Sequence, residues 1–198
     1  MVIVKVLFIA VALAVGLTAL SACGGDDDDA ADEDPSTTSA PETTTTTADA
    51  AAAKEAAVRE ARQAADQAWI DSTAPPTPDP DAPVIAETHV GPMLDQLVET
   101  ARGLERNGWA IRYPENSQYQ FDIESVRFSE DDGQPVAFLE VCTVDDGERI
   151  VADTGEVLAG GLRTIHATEA MREVDGVWKL AERREDEPKE GVAECAGE

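Results

Sequence analysis

Two hydrophobic periods divide the chain, a helical period up to about residue 107 and an alternating period after it. Alanine dominates residues 51–71, and the apolar side chains there recur at spacings of three and four: Val58, Ala61, Ala65, Ala68 and Trp69. This spacing predicts an amphipathic helix. Charged residues, Arg62 and Asp66 among them, are expected on its other face, and the proline-rich stretch 74–80 ends the helix.

Two further helices are predicted before the period changes. A short one runs from Asp81 to about Thr88, with Pro83 in its first turn, where proline is tolerated. The third begins near Pro92 and ends at Asn107-Gly108, since glycine readily adopts the left-handed conformation that follows a helix. One apolar stripe runs along it, formed by Met93, Leu94, Leu97, Val98, Ala101 and Leu104.

From Trp109 onward, alternation of apolar and polar residues predicts strands. Residues 119–125 alternate regularly, but Val126 and Phe128 break the pattern. Residues 136–144 are apolar on both faces, which predicts a central strand. Helices followed by antiparallel strands indicate an α+β fold, with the helices across one face of a curved antiparallel sheet.

The last long hairpin is predicted at Asp175-Gly176, a sequence typical of two-residue turns. Such a turn sets Met171 opposite Leu180 and turns His166 away from the face of Trp178. A bulged three-residue turn would shift one arm and reverse its facing. The tight turn matches the apolar residues better, although it sets Arg172 opposite Lys179.

Net charge excludes two classes of partner. The 198 residues include 15 lysines and arginines against 41 aspartates and glutamates, which gives 15 − 41 = −26. Nucleic acids and anionic membrane surfaces are bound through lysine and arginine. We therefore expect no nucleic-acid partner and a soluble, self-repelling surface.

The N-terminus predicts export and lipidation. An apolar run over residues 6–20, short for a membrane-spanning helix, ends at Leu20-Ser21-Ala22-Cys23. This is the pattern that a lipoprotein signal peptidase recognises. Residues 1–22 are predicted to be a signal peptide, Cys23 the lipidated mature N-terminus, and the cell membrane the location, on its extracytoplasmic side. An uncleaved N-terminal anchor is the alternative.

Residues 23–50 are predicted to be a disordered tether, because acidic and threonine-rich sequence offers no large apolar side chain to bury. The folded domain is then expected over residues 51–198. If Cys23 carries lipid, Cys142 and Cys195 remain, and two cysteines in an exported protein usually pair.

The folded part resembles the NTF2-like domain of actinobacterial lipoproteins, over roughly residues 51–196. The resemblance rests on the alanine-rich first helix and on a series of short motifs: Pro78-Asp79-Pro80-Asp81, Asn107-Gly108, Val141-Cys142 with Asp145, the hairpin over residues 174–180, and Cys195. It implies a cone-shaped α+β fold and a Cys142–Cys195 disulfide. It implies no activity, because the group's function is largely unassigned.

Some NTF2-like proteins are isomerases, dehydratases or epoxide hydrolases that use aspartate and histidine in a pocket. Of the two histidines, His89 is expected in a loop or capping role, and His166 faces away from the apolar face. Glu140 interrupts an apolar strand; if buried it could act as an acid or base, and otherwise it faces outward beside Arg127 or Arg163. No Cys-His pair, Gly-x-Ser-x-Gly elbow or metal-binding motif occurs, and no cofactor is expected.

The sequence therefore favours a lipid-anchored binding or interaction domain over an enzyme. We expect a largely apolar cavity beneath the helices, walled by Trp109, Trp178, Leu97 and Val98. Its partner would be a small apolar ligand or an envelope protein, and the resemblance suggests a homodimer formed through the sheets. The alternative is an NTF2-like isomerase, dehydratase or hydrolase with a small apolar substrate.

Overall fold

The computed structural model describes residues 47–195, which lie within one structural unit, Thr44–Glu198. The predicted signal peptide (1–22), Cys23 and most of the predicted tether lie outside the described residues.

Three helices precede the strands, as the apolar spacing predicts. They are α1 (Thr47–Thr73), α2 (Pro83–Thr88) and α3 (Gly91–Asn107). The first helix begins four residues before the predicted start, within the stretch assigned to the tether. Gly108 follows α3 in the left-handed conformation, with φ 66°, and its N–H bonds to carbonyls of the last turn.

Within residues 47–195 the strands form two antiparallel sheets. The bounds are β1 (Trp109–Arg112), β2 (Gln120–Asp131), β3 (Gln134–Asp145), β4 (Glu148–Val151), β5 (Val157–Ala159), β6 (Arg163–Val174), β7 (Val177–Glu185) and β8 (Lys189–Glu190). The large sheet has the order β2-β3-β6-β7, and β8 pairs with the start of β6. The small sheet has the order β1-β4-β5. The class is therefore α+β, and β3 is central, as predicted.

The large sheet has an inner face, on which α1 packs, and an outer face. The core joins buried residues of α1 to inner-face residues of the strands: Val58, Ala65, Leu139, Val141, Met171 and Leu180. Truncating a fully buried leucine such as Leu139 typically costs about 2–5 kcal/mol. None of the helices in residues 47–195 combines the length and apolar character needed to cross a membrane.

The β6–β7 hairpin has the predicted two-residue turn. Asp175 and Gly176 both have positive φ, Met171 pairs with Leu180, and Arg172 pairs with Lys179. His166 consequently lies on the outer face, opposite Cys142 of β3.

A β-bulge explains why the alternation in β2 breaks. The pairing of β2 with β3 shifts between Ile123 and Ser125, so that Glu124 is an extra residue in β2. The shift returns Val126 to the inner face, where it packs against the core beside Ile123.

The cysteines of the domain pair as expected. Cys142 and Cys195 form a disulfide, with Cα atoms 5.5 Å apart. Hydrogen bonds also hold the C-terminal segment: the Gly191 N–H donates to the Leu162 carbonyl (2.7 Å), and the Thr164 hydroxyl donates to the Val192 carbonyl (2.7 Å).

Candidate functional site

A cavity of about 150 Å³ lies between α1, the segment joining α2 to α3, and the inner face of the large sheet. We call it the inner pocket. Its wall carries as many arginines as carboxylates: Arg62, Arg163, Arg183, Asp66, Asp145 and Glu185. The largely apolar cavity stays a prediction, since ionic side chains share the wall of this pocket with apolar residues such as Trp69, Met93 and Ile165.

A buried ion triad joins two arginines of the inner pocket wall, Arg62 and Arg183, to Glu169. Arg62 donates two hydrogen bonds to the Glu169 carboxylate, one of them from Nη2 to Oε1 at 2.8 Å. Arg183 donates to the same oxygen at 2.5 Å. Burial alone would raise the pKa of Glu169, but the two arginines outweigh it and hold the pKa below its ordinary value of 4.5.

Arg62 reaches this position because it shares a helical face with core residues. Val58, Arg62, Ala65 and Trp69 are spaced by four, three and four residues along α1, so they form one stripe. The expectation that Arg62 faces solvent was wrong, since the residue is 2% exposed. The spacing from Val58 and Ala65 is a signal that could have identified it.

A second bulge turns Arg183 into the inner pocket. Ala170 pairs with Glu182 and Met171 with Leu180, which leaves Ala181 as an extra residue in β7. The shift sets Arg183 opposite Glu169 on the inner face. Without this bulge, alternation from Leu180 would point Arg183 outward.

Two tyrosines form the next part of the wall. Tyr119 donates from its hydroxyl to Asp66 Oδ2 at 2.5 Å, and its ring meets that of Tyr113 edge to face, with centroids 4.9 Å apart. Burial raises the pKa of Asp66, and the Tyr119 hydrogen bond and the Arg62 charge oppose this only in part. Burial also raises the pKa of each tyrosine above its ordinary value of 10.0, so both hydroxyls stay protonated at neutral pH.

Asp145 and Arg163 form a partly exposed ion pair in the wall. Arg163 Nη2 lies 2.6 Å from Asp145 Oδ2, and the arginine side chain is 46% exposed. A second Asp145 oxygen accepts from the Gly147 N–H at 2.9 Å. The aspartate is thereby fixed at the start of the turn after β3.

His89 occupies a loop position, as predicted, and also lines the inner pocket. It follows α2, its N–H donates to the Ile85 carbonyl, and its Nδ1 lies 2.9 Å from the Thr88 hydroxyl oxygen. Burial, together with the charge of Arg62, lowers the pKa of His89 from 6.5 to about 4. The imidazole is therefore neutral at pH 7.

Two buried polar atoms in the wall have no hydrogen-bond partner among residues 47–195: Arg62 Nη1 and Thr143 Oγ1. Phe121 is a neighbour of both residues. The guanidinium carbon of Arg62 is 4.2 Å from the ring centroid of Phe121, which pairs with Thr143 across the sheet. Buried polar groups without partners are uncommon and costly, so the inner pocket has unused hydrogen-bonding capacity.

None of the four predicted wall residues lines the inner pocket. Trp178 is in the core cluster, with its ring 6.1 Å from that of Phe128. Leu97 is fully buried, and Arg149 stacks on Trp109 in the small sheet. Met93 and Gln96 are the α3 residues that line the inner pocket, in place of Leu97 and Val98, so the expected wall of Trp109, Trp178, Leu97 and Val98 is corrected.

Glu140 and His166 lie on the outer face, away from the inner pocket. Glu140 is 43% exposed, 3.8 Å from Arg127, and accepts a hydrogen bond from Thr168. This is the outward position beside Arg127 that the sequence allowed. His166 Nε2 lies 3.8 Å from Cys142 Sγ, a Cys-His contact between neighbouring strands that no sequence motif revealed.

Comparison with known proteins defines the fold only. No protein-family model matches this chain, and no curated protein matches it either. Among solved structures, the intermembrane space region of the chloroplast protein ARC6 is similar, with a TM-score of 0.52 and 19% identity over 65% of this chain and 95% of that one. A de novo designed β-sheet protein aligns with a TM-score of 0.26 and 21% identity, over 70% of this chain and 91% of its own. The first likeness supports an α+β fold and carries no function.

Proposed function

We propose that the chain is a lipid-anchored, extracytoplasmic protein whose NTF2-like domain binds a small, neutral, polar molecule in the inner pocket. The NTF2-like cone is supported by three helices preceding an antiparallel sheet. Anchoring is supported by the Leu20-Ser21-Ala22-Cys23 sequence at the end of an apolar run.

One observation carries the binding proposal. Arg62 Nη1 and Thr143 Oγ1 are both buried, both belong to residues that line one cavity, and both lack a hydrogen-bond partner within residues 47–195. Asp66 Oδ1 is 3.8 Å from Arg62 Nη1, beyond hydrogen-bond distance. The guanidinium nitrogen can only donate, and the hydroxyl can donate and accept. A carbonyl or amide oxygen of a ligand can accept a hydrogen bond from either group.

The charges of the wall favour a neutral ligand. Arg62 and Arg183 share Glu169, and each has a further carboxylate nearby, Asp66 at 3.8 Å from Arg62 and Glu185 at 2.8 Å from Arg183. Arg163 is paired with Asp145. An anionic ligand would meet no excess of positive charge, because every arginine of the wall has a carboxylate partner. Trp69, Met93 and Ile165 offer apolar contact beside the polar atoms, which suits a ligand with an apolar part.

The same contacts favour binding over catalysis. A general base works best with a pKa near the operating pH, and the pKa of His89 lies near 4. Glu169 is held by two arginines and Asp66 by Tyr119. Each carboxylate is thus engaged by a donor rather than aimed at a substrate.

The test compares three probes that share one ring: benzamide, benzoate and toluene. The full chain in detergent micelles is heated with each, and the unfolding temperature is recorded. We expect benzamide to raise it most. The Thr143→Val variant should lose this gain, because it removes one of the two unpartnered atoms, while Thr168→Val on the outer face should keep it.

Equal responses to the three probes, or an undiminished benzamide response in Thr143→Val, would contradict the proposal. A pocket filled only by water would give no response to any probe. Turnover of epoxides or enones that depends on His89 or Asp66 would replace binding with the alternative, enzymatic function.

A further inference from the structure

A second cluster of reactive side chains lies on the outer face of the large sheet. It consists of Glu124, Cys142, His166 and Cys195, and we call it the outer cluster. Ligand atoms of Glu124, Cys142 and His166 all lie within 4.8 Å of one another, and Cys195 is bonded to Cys142. The Cys142 Sγ to His166 Nε2 distance is 3.8 Å, and His166 Nδ1 lies 3.8 Å from Glu124 Oε1.

Strand pairing and the β2 bulge assemble the outer cluster. Cys142 and His166 are direct partners on β3 and β6. The bulge inserts Glu124 into β2 beside them. His166 and Glu124 are 32% and 36% exposed, so an ion has access from solvent.

We propose that the outer cluster is a thiol-dependent zinc site. When the Cys142–Cys195 disulfide is reduced, the two thiolates, His166 Nε2 and the Glu124 carboxylate bind one Zn²⁺. This donor set matches the sulfur, nitrogen and oxygen ligands that zinc takes in tetrahedral sites.

The reduction is a two-electron exchange with a dithiol. The S–S bond of the protein breaks, a disulfide forms in the reductant, and its two thiol hydrogens pass to Cys142 and Cys195. Zinc then displaces two protons as the thiols become thiolates. In the oxidised chain the sulfurs carry no charge, and the site lacks its two strongest ligands.

The distances suit tetrahedral coordination. Zn–S bonds of about 2.3 Å and Zn–N bonds of about 2.0 Å place a sulfur and a nitrogen ligand about 3.5 Å apart, close to the observed 3.8 Å. Two thiolate ligands lie about 3.8 Å apart by the same geometry. Side chains with Cα atoms 5.5 Å apart can reach that separation by rotation about χ1.

The C-terminal segment stays beside the sheet without the disulfide. Thr164, whose hydroxyl binds the Val192 carbonyl, also accepts from the Glu194 N–H at 3.3 Å. The pairing of β8 with β6 holds the segment further upstream. Reduction therefore leaves Cys195 near Cys142 instead of releasing it.

The experiment uses the full chain with Cys23→Ser, which removes the third thiol. It is reduced anaerobically with a phosphine, which takes oxygen from water, becomes a phosphine oxide and competes little for zinc. Zinc stoichiometry and affinity are measured by competition with a coloured chelator, and Co²⁺ is added separately as a spectroscopic probe. We expect one zinc per reduced chain, none in the oxidised chain, and a Co²⁺ spectrum with thiolate charge-transfer bands.

Single substitutions test the two ligands that are not cysteines. His166→Ala and Glu124→Gln should each weaken zinc affinity by about tenfold or more. Losing even a residue that only hydrogen-bonds to a metal ligand typically has an effect of this size. Glu140→Gln, on the same face of β3, should leave it unchanged. All three variants can be checked for folding by circular dichroism while the disulfide is intact.

Three results would overturn the proposal. They are a reduced chain that binds no zinc, an oxidised chain that binds it equally well, and variants at His166 and Glu140 that behave alike. The site is independent of the inner pocket, so either proposal can fail without the other.

Discussion

Replacing Glu169 with glutamine should destabilise the domain strongly. The Glu169 side chain is fully buried, that of Arg62 is 3% exposed, and the carboxylate accepts bonds from both Arg62 and Arg183. Glutamine keeps the shape but removes the charge, which leaves two arginines without their shared counter-ion. Breaking a buried ion pair on one side typically costs about 3–5 kcal/mol.

For Glu169→Gln we expect a loss of about 3 kcal/mol in the free energy of unfolding, the lower end of that range. Glutamine keeps one acceptor oxygen, and Asp66 lies 3.8 Å from Arg62. The matched control is Glu182→Gln on the neighbouring strand. Its side chain is 59% exposed and 3.4 Å from Arg172, so its loss should cost at most about 1 kcal/mol.

Urea unfolding followed by circular dichroism measures both losses at pH 7 and in acid. Because the pKa of Glu169 is lowered in the folded chain, its contribution is present above the unfolded value near 4.5 and is lost as pH falls through the folded value. The gap between the wild-type chain and Glu169→Gln should therefore narrow below pH 4.5. A difference in unfolding free energy under about 1 kcal/mol at neutral pH, which is the value for an exposed ion pair, would refute the reasoning. A difference that stays the same in acid would also refute it.

Three further predictions follow from the sequence and from single groups. The pKa of His89 is about 4 in the folded chain, against an ordinary value of 6.5, so the unfolded chain binds the proton more tightly. The free energy of unfolding should therefore fall by about 3 kcal/mol between pH 6.5 and pH 4. A His89→Gln chain whose stability falls equally steeply over this range would contradict this. Loss of the Cys142–Cys195 disulfide, which spans 53 residues, should lower the free energy of unfolding by about 4 kcal/mol. Two alkylatable thiols in protein freshly isolated from the envelope would disprove the pairing. Intact mass of the membrane fraction should show lipid on Cys23, and a Cys23→Ala chain with the same lipidated mature mass would exclude that assignment.

The secondary structure and the β6–β7 register could be predicted from sequence because each depends on local pattern. Asp175-Gly176 accommodates positive φ at both turn positions, and this turn sets the pairing of Met171 with Leu180. Residues 136–144 are apolar on both faces, and the strand they form is central. In these cases the physical cause acts over a few residues and is visible in the order of the amino acids.

The inner pocket could not be predicted in the same way, because its ion pairs join residues far apart in the chain. Arg62 and Glu169 are 107 positions apart, and each one alone resembles an ordinary charged residue on an amphipathic element. The sequence does predict that both side chains lie on apolar faces. Arg62 follows Val58 by four residues on a helix, and Glu169 alternates with Ala167 and Met171 on a strand. A buried charge on one apolar face indicates a partner, but the sequence does not identify that partner.

Bulges limit the prediction further, because one extra residue reverses every side chain beyond it. The bulge at Ala181 turns Arg183 toward Glu169, and the bulge at Glu124 brings a carboxylate beside His166. Neither position is marked by glycine or proline.

The two candidate sites meet at consecutive residues of β3. Cys142 faces outward to His166, while Thr143 faces the inner pocket, since neighbouring side chains of a strand point to opposite faces. A substitution such as Thr143→Val changes only the inner surface, and reduction of Cys142 acts first on the outer one. Because both residues share one central strand with β2 and β6 on either side, a bound zinc ion could influence the pocket only by moving that strand. The benzamide response of the reduced chain with and without zinc therefore measures whether the two faces are coupled, and unchanged responses would mean that the central strand keeps them independent.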